Sequence, residues 1–201
     1  MSLAATELPP PEPSRAVVLW RRFRRNRAAL LGLILFAVVV AMALLAGVIE
    51  PDDPLARAGA PLTPPFVDAA VPLGTDQLGR DILAMLFYGA RISLLVGVVA
   101  TLISIAIGIL IGALSGYFGG WVDDVLMRIT EAFQTVPSFV LLLTLVAILG
   151  SKIEWIALAI GIVSWTAPAR MVRAEFMALR DREFVDAARN LGVSHTAMIF
   201  K

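Results

Sequence analysis

The sequence predicts an all-α integral membrane protein, a polytopic helical bundle with four membrane-spanning helices. Three observations predict it. Hydrophobic residues make up 59% of the 201 positions, above the roughly 45–50% of ordinary soluble domains. Charged side chains lie in bands, leaving long stretches with no Asp, Glu, Lys or Arg, as a bilayer interior requires. The chain has no cysteine and one histidine, His195. Disulfides, thiol chemistry and a Cys/His metal cluster are therefore excluded.

Residues 1–14, with Pro9, Pro10, Pro11 and Pro13, hold too little apolar surface to repay ordering and are expected to be disordered. The whole of 1–27 is read as a disordered, basic segment that ends in Arg21, Arg22, Arg24, Arg25 and Arg27. Ala28–Ile49 is an uncharged run of 22 residues, about 33 Å as a helix and enough to cross a bilayer core. It exceeds the apolar core of a signal peptide, although Ala41-Met42-Ala43 loosely fits a cleavage site. Residues 50–90 are rich in Pro and acids and form an extramembrane loop. The second uncharged run is Ile92–Gly116 and the third Ala132–Gly150, giving helices at about 92–116 and 125–150. The fourth, Trp155–Ala169, is short and is expected to extend to about 172, with Arg170 and Arg173 snorkelling to the interface.

Basic residues set the orientation. Four spans place the N-terminal arginines, Arg128, Arg170, Arg173, Arg180, Arg182, Arg189 and Lys201 on one side, against Arg57, Arg80, Arg91 and Lys152 on the other. By the positive-inside rule both termini are cytoplasmic and the 50–90 loop faces outward.

Glu183–Lys201 reads as a helix, a glycine turn and a second helix. Phe184, Val185, Ala188 and Leu191 fall at helical spacing, Gly192 breaks the helix, and Ser194 can cap the next one. Small residues Ala187 and Ala188 beside Asp186 would let a partner surface approach the backbone closely. Asp186-Ala187-Ala188, three residues, then Gly192 resembles the EAA loop of ABC-importer permeases. Asp stands where that family has Glu, and the sequence ends at Lys201, before the loop's Ile-x-Leu-Pro part. The stretch Pro72-Leu73-Gly74-Thr75-Asp76-Gln77-Leu78-Gly79-Arg80-Asp81, with Tyr88-Gly89-Ala90-Arg91-Ile92-Ser93-Leu94, resembles the segment before the second span of dipeptide, oligopeptide and nickel permeases. Locally the same residues read as a rigid loop, with glycine turns, Asp76 or Asp81 capping a helix start, and Arg80 paired to a carboxylate.

The resemblance covers nearly all of residues 15–201 and implies the ABC-importer permease (MetI-like) fold, with two further spans beyond the EAA loop. It identifies Asp186, Ala187, Ala188, Arg189, Leu191 and Gly192 with the element that couples to a separate ATPase. It further implies a membrane-spanning permease subunit of an ATP-driven importer of peptides or similar small solutes, in a bacterial-type plasma membrane. The expected partners are two ABC ATPase subunits, a second permease, an extracytoplasmic substrate-binding protein and membrane lipid, with no nucleic acid. No phosphate-binding loop is present, so ATP and Mg belong to the partner ATPase and this chain carries no cofactor.

Two further features bear on mechanism. Gly108, Gly112 and Gly116 place small residues on one face of the second span, suited either to packing within the subunit or to an interface with another permease. Glu131, Gln134, Thr135 and Ser138 form a polar stripe on the third span, with Pro137 expected to kink it. The stripe is read as part of the cytoplasmic half of the substrate path, or with equal weight as a structural pairing of Glu131 with Arg128 or another arginine. An ion-coupled secondary transporter using Glu131, or a membrane scaffold or assembly subunit, are the alternative readings.

Overall fold

The structure is a computed structural model that describes residues 15–50 and 53–200. Those residues form nine helices and no strand, and the chain divides into two compact units, 1–91 and 92–201. The expectation for residues 1–14 lies outside the described residues.

In the first unit, α1 (Arg15–Arg25) and α2 (Arg27–Ile49) are separated by Asn26. The basic segment expected to be disordered is thus helical from Arg15. Trp20 and Phe23 stack at 5.8 Å along α1, an i,i+3 contact that an extended chain would not make. Asn26 caps α2, its side-chain oxygen accepting from the amides of Ala28 and Ala29. Along α2 only Ala43 and Ala46 are buried, while Leu33, Ile34, Leu35, Phe36, Leu44 and Val48 are exposed. A 23-residue helix with apolar side chains all round is stable only in lipid or in a larger apolar bundle.

The segment between α2 and α3 is a tightly hydrogen-bonded loop. Asp76 accepts from the amides of Leu78 and Arg80, and Asp81 from that of Leu83. Thr75 Oγ1 accepts from the amide of Thr63 and donates to the carbonyl of Ala60 at 2.5 Å. The amide of Arg80, with that of Leu78 and the nearby guanidinium, holds the Asp76 carboxyl below its ordinary value of 3.8. Gly74 and Gly79 both have φ +78°, and a Cβ at Gly79 would lie 2.5 Å from the carbonyl of Gly59. Only glycine fits there. Arg80 enters this network chiefly through its amide, its guanidinium acting on Asp76 without forming an ion pair among the described residues.

Asp81 also moves a boundary. Its cap starts α3 at Ile82, ten residues before the uncharged run begins, so that α3 is Ile82–Phe118 and its first turns, with Arg91, belong to the first unit. Tyr88 donates to the carbonyl of Glu50, tying the start of α3 to the end of α2.

The second unit contains the rest of α3 and six more helices: α4 (Gly120–Thr135), α5 (Ser138–Leu149), α6 (Ile153–Ser164), α7 (Thr166–Arg180), α8 (Glu183–Asn190) and α9 (His195–Phe200). The two later spans expected from sequence are each broken. α4 and α5 meet at 83° across Val136 and Pro137, and α6 and α7 at 42° across Trp165. Counting each bent pair as one span gives four candidate spans by length and composition. Proline explains the first break, because Pro137 supplies no amide to an α4–α5 ladder and disfavours helical φ/ψ at Val136. Between α3, which persists to Phe118, and α4, which starts at Gly120, Gly119 alone is non-helical.

Candidate functional site

Three small residues let α7 lie directly on α3. A Cβ at Gly108 would sit 2.6 Å from Pro168 Cβ, one at Gly116 2.6 Å from Phe176 Cβ, and one at Gly112 would collide with the carbonyl of Ala169. The glycine face is therefore occupied by a helix of the same chain. Gly161 on α6 is just as close to Ile103 of α3, and Trp165, buried at the α6–α7 break, packs its ring 5.5 Å from Phe133 of α4.

Where these helices converge, Asp123 near the start of α4 receives two hydrogen bonds from Arg173 of α7, Nε to Oδ1 and Nη2 to Oδ2, each 2.5 Å. The fully buried Ser115 of α3 donates to the same Oδ1. Bidentate charge-assisted pairing of this kind fixes direction as well as distance. One carboxylate thus joins α3, α4 and α7. Arg173, expected to snorkel, finds its partner 50 positions away on another helix, and no local signal announces that pairing.

Beside this junction, α4 and α7 border a cleft of about 490 Å³ lined by Asp123, Asp124, Met127, Arg128, Thr130, Glu131, Gln134, Arg170 and Arg173. Of the predicted polar stripe, Glu131 and Gln134 line it; Gln134 also donates to Thr166 Oγ1 at 2.9 Å. Among the described residues Glu131 forms no ion pair with Arg128 or any other arginine. Thr135 folds back onto the carbonyl of Ala132, and Pro137 and Ser138 stand at the start of α5, exposed and outside the cleft lining. The stripe is therefore divided by the 83° bend, which takes Ser138 off the α4 face. The opposite side of α4 exposes Trp121, Val125 and Ile129, an i, i+4, i+8 row.

The chain's last helices form a second feature. After α8, Gly192 takes φ +77°, the amides of Leu191, Gly192 and Val193 bonding back to the carbonyls of Ala187, Arg189 and Ala188. Ser194 accepts weakly from the amide of Ala197. The four residues expected on one face separate into two. Val185 and Ala188 are half-buried toward the body, while Phe184 is 64% and Leu191 84% exposed, with Ala187 between them at i+3. Asp186 and Arg189 form an exposed i,i+3 pair at 3.4 Å. Anchoring comes from residues that sequence reading did not single out. Tyr117, buried at the end of α3, is 2.6 Å from His195 Nδ1, and its hydroxyl also approaches Met198. The Phe118 ring completes this aromatic contact.

Residues 108–201 match the family described as binding-protein-dependent transport system inner membrane component. Residues 14–65 match the N-terminal TM domain of oligopeptide transport permease C. The dipeptide transport system permease protein DppC of Haemophilus influenzae is 35% identical over 90% of this chain and 63% of its own length. The oligopeptide transport system permease protein OppC of Escherichia coli is 39% identical over 90% and 60%, and that of Bacillus subtilis 34% over 93% and 62%. The chain spans about three fifths of the length of these curated relatives.

Proposed function

From the match of residues 108–201 to the binding-protein-dependent transport inner membrane component family and the likeness to dipeptide and oligopeptide permeases over nine tenths of the chain, we propose that it is a membrane-spanning permease subunit of an ATP-driven importer of peptides or similar small solutes. In this reading it works with ABC ATPase subunits, a second permease and an extracytoplasmic binding protein in a bacterial inner membrane, with its N-terminus in the cytoplasm. ATP and Mg reside on the ATPase. The observation that carries the reading is the α8–Gly192–α9 segment, anchored by Tyr117 and His195 yet presenting Phe184, Ala187 and Leu191 outward. A short helix with small residues at its surface suits insertion into a cleft of a moving partner. Asp186, Ala188, Arg189 and Gly192 then shape and charge that helix. Glu131 and Gln134, in the α4–α7 cleft, are assigned to the substrate path; Thr135, Pro137 and Ser138 shape the corner beside it.

The test is co-purification of the complex in mild detergent. Ala187→Trp enlarges the outward face without touching the Gly192 turn, and is expected to abolish recovery of the ATPase while the second permease still co-purifies. ATPase recovery at the unmodified level would reject the coupling assignment. Peptide uptake driven by a proton gradient, with no ATPase recovered from the unmodified chain, would favour a secondary transporter.

A further inference from the structure

α1 has two sides of opposite chemistry. At about 3.6 residues per turn, Leu19, Trp20 and Phe23 share an arc of about 100°, and Arg21, Arg22, Arg24 and Arg25 occupy the opposite arc of about 160°. Val17 and Val18, nearer the helix start, lie on the arginine side. Leu19 is 65% and Trp20 56% exposed, and Phe23 stacks on Trp20 while remaining only half-buried. The four arginines are exposed, and none forms an ion pair among the described residues. Position adds a second constraint. Asn26 alone separates α1 from α2, and its extended backbone (φ −92°, ψ 103°) ends one helical ladder while its side chain caps the next. An extended residue between two helices turns the axis, so α1 leaves the line of α2 where the apolar run of the span begins.

We propose that α1 lies in the bilayer surface beside the point where α2 enters, binding the headgroups of anionic phospholipid. Leu19, Trp20 and Phe23 rest among the upper acyl chains, at the level where aromatic rings are favoured. Arg22 and Arg24 border the apolar arc on its two sides and reach headgroup phosphates, which a guanidinium grips through paired N–H donors. Arg21 and Arg25 add to the attractive field. The tether selects lipid over a soluble acidic partner, because an apolar face held one residue from a span meets the membrane surface first. A helix of 11 residues is marginal alone in water, but attachment to a span keeps it at the surface at high effective concentration. Held there, α1 fixes the depth of α2 and gives the first unit a preference for anionic lipid. The inference concerns how the chain is seated in lipid and goes beyond the transport reading, whose failure would leave it standing.

The experiment uses the full chain in its purified complex with cysteine-free partners. Because the chain has no cysteine, Leu19→Cys supplies one thiol for a polarity-sensitive dye. The complex is placed in nanodiscs of phosphatidylcholine with a minor fraction of phosphatidylglycerol, bromine being carried on the acyl chains of one lipid or the other. Both leaflets have the same composition, so the readout does not depend on which way the chain is inserted. The dye is expected to be quenched by both lipids, and per mole at least about twofold more by brominated phosphatidylglycerol. Salt at about 1 M, where the Debye length is about 3 Å, should bring the two lipids to near parity. Replacing Arg22→Gln and Arg24→Gln together should do the same at low salt. Quenching by neither lipid would overturn the proposal and assign the face to a protein. Equal quenching of the chain with all its arginines at low salt would overturn it too, as would a preference that survives both high salt and loss of the two arginines.

Discussion

Asp123 shows how much one side chain can carry. It accepts from Arg173 through both oxygens and from Ser115 through one, so three helices depend on its position. Its side chain is 14% and that of Arg173 31% exposed, so solvent screens the pair only in part. Hydrogen bonds to charged groups contribute about 1.5–3 kcal/mol each in net terms. Asp123→Ala is expected to lower stability by about 2–3 kcal/mol, read as reduced unfolding temperature in detergent. Arg173→Ala should do nearly the same, and the double variant should be little worse than the more damaging single one, because both remove one interaction. Additive losses would mean that each side chain has a separate role.

At the scale of elements, α3 and α7 approach as closely as their backbones allow. Gly112→Ala must push α7 away, because its Cβ meets the carbonyl of Ala169 and Val172, and overpacking of this kind costs about 1–3 kcal/mol. Gly97→Ala on the same helix meets nothing within 4 Å and is expected to be neutral or slightly stabilising. Matched thermal unfolding of the two variants checks this; equal losses would show that the close approach is unimportant. The glycine face was legible from its four-residue spacing, as were the uncharged runs and the helix–Gly192–helix segment. The start of α3 was legible in part: Asp81 was readable as a helix cap, as the structure has it, but Arg91 interrupts the apolar run and moved the expected start to about 92. The two faces of α8 were not legible. Which of Phe184, Val185, Ala188 and Leu191 turns inward depends on Tyr117 and the other residues that receive the segment, and these are distant in sequence. The polar stripe was half legible. Its i, i+3 spacing holds from Glu131 to Gln134, and the corner at Pro137 then ends it.

For the whole molecule, the distribution of arginines makes a prediction that needs no further geometry. Gln77 in the α2–α3 loop and Asn190 at the end of α8 are both exposed, and the chain has no native thiol. A membrane-impermeant maleimide is expected to label Gln77→Cys in intact spheroplasts and Asn190→Cys only after disruption; the reverse pattern would invert the topology. The right-angled corner at Pro137 has a mechanical meaning on this scale. α4, about 24 Å long, is fastened at its far end to α7 by Asp123, and α5, about 18 Å long, leaves the corner almost perpendicular to it. Gln134, bonded to Thr166 beside the corner, ties the near end of α4 to α7 as well, so a displacement of α7 would carry α4 with it and move α5 broadside. A small axial stroke at one end of the unit would thereby become a transverse displacement at the other.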